Sequence, residues 1–396
     1  MAKNIVFCAD GTWNGPHSGD DDGVPKTTNV WKLFTLLAGT SDTEPDYQSE
    51  QELVDSASGQ VAKYLHGVGD SNNPLTKLLG GALGAGLVMR IVRGYTYISR
   101  NYTDNDLIYL IGFSRGAYTA RALAGLIADM GLLKPSLTTD PIIAYRMGMQ
   151  AWRQHQAKKY STTDAGQSNP IDSILDHLPH LMFSNLDDDD LVQVPDGGIK
   201  AVAVWDTVGS LGIPNYLVKQ DSRYDAFQFA DTKLNPKIGF GFHAISLDEQ
   251  RADFTPTFWD PRDDNTVTQV LFAGAHSDVG GGYALAESGL SDIACKWMIQ
   301  QLQGAGVNFR PDAIQTLNPN SRSSAHQPWL TPPFDALPRG PRQDIAFPKA
   351  VGAHRSIFER LAKGSPGVRA DPSLAPGVYM PACFATDFAA FEKWAD

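Results

Sequence analysis

Short apolar runs, each closed by glycine or aspartate, recur along the chain with helical periodicity between them. Asn4-Ile5-Val6-Phe7-Cys8-Ala9 has the pattern of a buried strand and runs into a turn at Asp10-Gly11-Thr12-Trp13-Asn14. Residues 15–28 are polar, and Thr28 and Asn29 can cap a helix through Leu37. Val61–Leu65 alternates as a second strand. A glycine-laced stretch follows, and its second part, Val88 to Tyr102, predicts a crossover helix. Leu107-Ile108-Tyr109-Leu110-Ile111 is again a buried-strand pattern, after which Ala117, Ala120, Leu123, Ala124, Ile127 and Ala128 fall at helical spacing. Further strands are predicted at 199–205, 241–247 and 267–274, and further helices at about 142–158, 171–178, 290–303 and 356–361.

Strands alternating with helices imply an α/β fold, a mostly parallel sheet with helices on both faces. Residues 133–198 differ in character and predict a helical, cap-like insertion. From about 306 proline and glycine increase and periodicity fades. The expectation is one domain over 1–396, with a core of 1–305 that contains the insertion and a C-terminal extension of 306–396 wrapped on it.

Composition narrows the function classes. Hydrophobic residues make up 42% of the 396, enough for a sizeable core. A formal net charge of −11 argues against a nucleic-acid partner. Three widely spaced cysteines, Cys8, Cys295 and Cys383, suggest neither a disulfide framework nor a zinc site, and point to a reducing compartment. No run of 18 apolar residues predicts a transmembrane anchor, and the N-terminus shows no signal-peptide core. The expected location at synthesis is therefore cytoplasmic.

The chemistry centres on Gly112-Phe113-Ser114-Arg115-Gly116, a G-x-S-x-G match between a predicted strand and a predicted helix. That context is the one a nucleophile elbow requires: the serine occupies a sharp turn, and the glycines remove side chains that would collide with neighbouring elements. The helix N-terminus then favours a developing oxyanion, with the N–H of Arg115 and a second donor from the loop after the first strand, Gly11 or Thr12. A serine hydroxyl needs a base oriented by a carboxylate. In chain order Ser, acid, His, this gives Ser114, then Asp206 or Asp248, then His276. Asp10, Ser114, Asp206, Asp248 and His276 all close predicted strands, and ligands of such sheets sit at the strands' carboxyl ends. Among nine histidines His276 stands out, in a glycine-rich loop after the last core strand. His243 lies inside a strand pattern and reads as core, His66 as structural, and His354 is a weaker candidate in the tail. Asp10 reads equally well as a turn or capping carboxylate.

Four blocks together resemble a bacterial family of α/β-hydrolase-like domains that includes the first class of type VI secretion phospholipase effectors. They are Phe7-Cys8-Ala9-Asp10-Gly11-Thr12-Trp13-Asn14, Gly112 to Arg121, Val204-Trp205-Asp206-Thr207-Val208-Gly209, and His276-Ser277-Asp278-Val279-Gly280-Gly281-Gly282-Tyr283. The resemblance implies an α/β-hydrolase-like fold, a Ser-Asp-His triad matching Ser114, Asp206 and His276, and hydrolysis of carboxylic esters in acyl lipids; no cofactor is expected, and the absence of ligands at metal spacing predicts activity without a metal. It also implies a lipid or other ester substrate, an immunity or secretion-apparatus protein as partner, and export by a type VI secretion system. Two other classes compete: a metal-dependent phosphohydrolase built on Asp10, Asp206, His276 and Asp278, and a non-catalytic binding module on a hydrolase scaffold. The first would need a denser cluster of metal ligands than the sequence shows, and the second leaves the Ser, Asp and His candidates unexplained.

Overall fold

The computed structural model describes residues 2–11, 26–46, 49–67, 82–160, 185–208, 232–264, 266–332, 334–335, 338–340, 342, 351–361, 379 and 381. In chain order the elements are β1 (Asn4–Ala9), β2 (Lys26–Thr28), α1 (Asn29–Leu36), β3 (Gln51–Asp55), β4 (Gln60–Leu65), α2 (Ala82–Asn101), β5 (Leu107–Phe113), α3 (Arg115–Met130), β6 (Leu132–Leu133), α4 (Pro141–Tyr160), β7 (Leu191–Val192), β8 (Ile199–Trp205), β9 (Ile238–Ser246), β10 (Val267–Phe272), α5 (His276–Gly280), β11 (Gly281–Ala284), α6 (Gly289–Gly304), β12 (Val351–Ala353) and α7 (Arg355–Leu361).

Eight of these strands form one sheet in the order β12-β10-β9-β8-β5-β1-β4-β3. Every pairing is parallel except the edge hairpin of β3 with β4. The continuous apolar runs of the central strands follow from burial on both faces. Ile5, Phe7, Ile108, Leu110, Val202 and Val204 enter the core shared with α2, α3 and α4. Their neighbours Val6, Cys8, Tyr109, Ile111, Ala203 and Trp205 enter the opposite core, with α1 and α6. The period-2 alternation of a strand thus divides each run between two cores.

The predicted strands and helices of the core are present within a few residues. Thr28 caps α1 as expected, its hydroxyl accepting from the Trp31 N–H at 3.2 Å. Six strands appear where none was predicted: β3 and β12 in the main sheet, and β2 with β11 and β6 with β7 in two small sheets. The helix after the glycine-laced stretch begins at Ala82, earlier than Val88, because packing of α2 on β1 and α3 outweighs the poor helix propensity of its glycines. At Gly94 the approach is so close that a Cβ would lie 2.6 Å from Leu123 and 2.8 Å from the Phe7 ring.

The described part of the cap-like stretch is α4 with β6 and β7. α4 packs on α2 and α3, with Met149 and Trp152 buried between the helices. The predicted helix at 171–178 lies outside the described residues. Two described segments beyond 306 contact the core. Arg310 N–H donates to Leu36 O at 2.9 Å, and β12 adds a parallel edge strand to β10. Among the described residues no helix is long and apolar enough to cross a membrane.

Candidate active site

Ser114 sits between β5 and α3 at φ 55°, ψ −122°, a backbone conformation that side-chain-bearing residues rarely adopt. The turn is tight on both sides. A Cβ on Gly112 would lie 2.3 Å from Gly116 O, and one on Gly116 would lie 1.9 Å from Ala9 O. Only glycine fits at either position, which is the requirement read from the G-x-S-x-G match. Ser114 N–H donates to Trp205 O at 3.2 Å, tying the elbow to the end of β8. Arg115 opens α3, so its backbone N–H belongs to the first turn, where helix amides lack intrahelical acceptors. The Arg115 guanidinium is pushed down to about 9 by burial and by nearby Arg90.

His276 is the first residue of α5, not part of an irregular loop. Its Nδ1 meets Asp206 Oδ2 at 2.6 Å. The ring lies between Phe113, with centroids 4.6 Å apart, and Phe254, edge-on at 4.9 Å. His276 Nε2 is buried and has no hydrogen-bond partner among the described residues, Ser114 included. Burial lowers the imidazole below its ordinary value, against the opposing pull of Asp206, and so favours the neutral ring. Ionised Asp206 accepts the Nδ1 proton and leaves Nε2 with its lone pair.

Asp206 follows β8 at φ 41°, a second side-chain-bearing residue in the left-handed region. It is completely buried, yet its carboxylate is saturated with donors. Ser246 N–H donates to Oδ1 at 2.9 Å and the Ser246 hydroxyl to Oδ2 at 3.0 Å. Arg342 Nη1 donates to Oδ1 at 2.7 Å and Nη2 to Oδ2 at 3.0 Å. Burial alone would raise this carboxyl, but Arg342 and His276 outweigh it and hold it well below the usual carboxylate range.

Asp248 takes a different place. Its Oδ2 accepts from Gly274 N–H at 2.6 Å and from the Tyr379 hydroxyl at 2.8 Å. Burial raises it to about 6. It braces the segment before His276 and makes no contact with the ring. The neighbouring Glu249 does more for the histidine: its Oε2 accepts the His276 backbone N–H at 3.1 Å. Burial would raise Glu249, but the Arg251 ion pair at 2.8 Å brings it down to about 2.

Asp10 is a structural anchor. The Thr28 hydroxyl donates to its Oδ2 at 2.7 Å and the Tyr64 hydroxyl to the same oxygen at 2.6 Å. Gly11 N–H, an expected oxyanion donor, donates here to Asp10 Oδ1 at 2.6 Å. Thr12, the other expected donor, lies outside the described residues. His243 is core as expected, its Nε2 accepting from Thr207 N–H at 3.1 Å. His354 bonds the Ser356 hydroxyl at 2.9 Å, away from Ser114. The four residues considered for a metal site do not converge. Asp10 serves β2 and β4, Asp206 serves His276, and Asp278 pairs with His326 at 2.6 Å. Among the described residues no group of three or more His, Cys, Asp or Glu side chains is arranged to hold a metal ion.

Arg342, Ser246, Glu249 and Phe254 were not legible as site residues. Glu249 was the nearest to a signal, adjoining the candidate Asp248. Arg342 lies in a proline- and glycine-rich segment with no motif around it.

The chain is 26% identical over 272 residues to an uncharacterized protein of Saccharomyces cerevisiae, a match covering 65% of this chain and 33% of that protein. Among solved structures it is similar to an uncharacterized protein from Pseudomonas aeruginosa, at 17% identity and TM-score 0.41, covering 79% of this chain and 47% of that one. It is also similar to the Tle1 effector solved bound to the VgrG spike of the type VI secretion system, at 17% identity and TM-score 0.37, covering 73% of this chain and 53% of that one. The chain thus spans about a third of the yeast relative and about half of each solved chain. Residues 3–301 match the family described as T6SS, phospholipase effector Tle1-like, catalytic domain, and the chain belongs to that family.

Proposed function

We propose that this protein is a serine hydrolase of acyl-lipid carboxylic esters, a phospholipase working through Ser114, His276 and Asp206. The observation that carries the proposal is His276 bound through Nδ1 to a buried, ionised Asp206, with Nε2 buried and unpartnered. Such a ring can only accept a proton at Nε2, which is the task of a general base. Ser114, on its strained elbow, supplies the nucleophile.

In this mechanism Ser114 Oγ attacks the ester carbonyl carbon as its proton passes to His276 Nε2. The carbonyl oxygen becomes an oxyanion facing the first turn of α3, where the Arg115 N–H donates and the helix dipole is favourable. The C–O bond to the alcohol breaks, and His276 returns the proton to the departing oxygen. Water then attacks the acyl-enzyme by the same route in reverse. Asp206 holds the ring in one tautomer and stabilises the imidazolium at each transfer. No step calls for a metal or cofactor.

Family membership supports a phospholipid substrate, export by a type VI secretion system, and contact with the secretion apparatus or an immunity protein. The chain is proposed to act as one α/β-hydrolase-like unit, its extension past 306 belonging to the same domain.

The test is Ser114→Ala. Hydrolysis of phospholipid in mixed micelles should fall on the order of 10⁴-fold or more, and labelling by a fluorophosphonate should vanish, with the circular dichroism spectrum unchanged. A folded variant with near-normal turnover would overturn the proposal.

A further inference from the structure

Arg342 reaches the site from outside the family-matched stretch, which ends at residue 301. It is 2% exposed. Its two terminal nitrogens take one Asp206 oxygen each, at 2.7 and 3.0 Å. Nη1 also donates to Ser246 O at the end of β9, and Nη2 to Phe254 O at 2.8 Å. One guanidinium therefore grips the carboxylate, the strand end that supplies the other two donors to it, and the residue whose ring packs edge-on against His276. A planar fork on both oxygens fixes the carboxylate plane, which a point charge cannot do.

We infer that Arg342 is a positioning residue for the proposed hydrolysis, setting the plane of the Asp206 carboxylate and tempering the hold of its charge on a proton at His276. The inference rests on reading Ser114, Asp206 and His276 as the hydrolytic triad. Among the described residues, the charged groups around His276 are Asp206 on Nδ1, Glu249 on its backbone N–H, Arg251 paired with Glu249, and Arg342 behind Asp206. The apolar rings of Phe113 and Phe254 also pack against it. Of the two cations, only Arg342 sits on the carboxylate that shares the histidine proton. Removing it leaves Asp206 more strongly negative toward the ring, so the imidazolium is favoured and His276 titrates higher.

The experiment compares Arg342→Met and Arg342→Lys with the parent full-length protein. The readouts are kcat and KM for p-nitrophenyl butyrate across pH, and the far-downfield proton NMR signal of His276 Nδ1–H. For Arg342→Met, kcat should fall on the order of 10- to 100-fold, short of the roughly 10⁴-fold loss that follows removal of the acid's charge in such triads. KM should hold, and the acid-side midpoint should rise by about one pH unit. Lysine keeps the charge but not the fork, so it should restore the midpoint and only part of kcat. A purely structural tie predicts parallel losses in both variants that track melting temperature, with no movement of the midpoint, and that result would overturn the inference. Should Arg342→Met fail to fold, a folded Arg342→Lys with parental kcat would overturn it equally. If the parent neither turns over the ester nor reacts with a fluorophosphonate, the hydrolytic reading fails instead, while the downfield proton still reports whether Arg342 governs the Asp206–His276 bond.

Discussion

Asp206 Oδ2 and His276 Nδ1 lie 2.6 Å apart, although the strands they follow, β8 and β10, are not neighbours in the sheet. β9 runs between β8 and β10, and its last residue, Ser246, donates to Asp206 through both its N–H and its hydroxyl. The left-handed backbone at Asp206 turns the carboxylate across that strand end toward the histidine.

Asp206→Asn should therefore lose about 10⁴-fold in turnover while keeping its fold, since the amide retains the volume but not the charge. Asp248→Asn should stay active. Its signature is thermodynamic. The Asp248 carboxyl, raised to about 6, binds its proton more tightly folded than unfolded. Its stabilising contribution is present below the ordinary carboxylate range and is lost as pH rises through about 6. Asparagine is always neutral, so the variant should gain on the parent in melting temperature between pH 4 and 7. A gap that stays constant with pH would reject this account.

Replacing Ser114 separates strain from chemistry. At φ 55° any side chain is strained, at a cost of about 1–3 kcal/mol. Ser114→Gly should be as inactive as Ser114→Ala but more stable than it by a similar amount, as read by urea denaturation.

The dependence of kcat/KM on pH should rise to its plateau with a midpoint below 6.5, the ordinary histidine value. His276 must be neutral to act as a base, and its burial lowers its pKa. A midpoint above that value would contradict the burial argument.

A second histidine behaves in the opposite sense. His326 Nδ1 lies 2.6 Å from Asp278 Oδ1, its Nε2 lies 3.5 Å from Glu287, and its ring stacks on Tyr283. Burial lowers it, but the two carboxylates outweigh burial and raise it overall. The stability it contributes is full below the unfolded histidine value and is lost as pH rises through its higher folded value. His326→Gln should thus cost about 1–3 kcal/mol at pH 5.5 and less at pH 9 in chemical denaturation.

The central strands and the elbow were legible because their signals are local. Gly112 and Gly116 bracket Ser114 in sequence, and burial on both faces writes long apolar runs into β1, β5 and, after Lys200, β8. β3 escaped because its buried alternate positions are Gln51 and Leu53, a mixed signal on an edge strand. β12 is three residues long with a glycine at its centre. Asp206 and Asp248 were not separable, since both follow strands that end at the same edge, and a single left-handed residue decides which one turns to His276. Asp10 reads either way in sequence; only the hydroxyls of Tyr64 and Thr28, 54 and 18 residues away, give it its anchoring part.

The Asp206–Arg342 pair closes a loop of 136 residues. During synthesis Ser114, Asp206 and His276 all leave the ribosome before the arginine does. Until it arrives, the acid must either stay hydrated or be buried without its cation, and an uncompensated buried charge is strongly unfavourable. Closure of so long a loop is also among the slower events of folding. The order of residues along the chain thus delays completion of the site until Arg342 has been made. A chain truncated or stalled before residue 342 would carry the serine, aspartate and histidine without the finished arrangement around them.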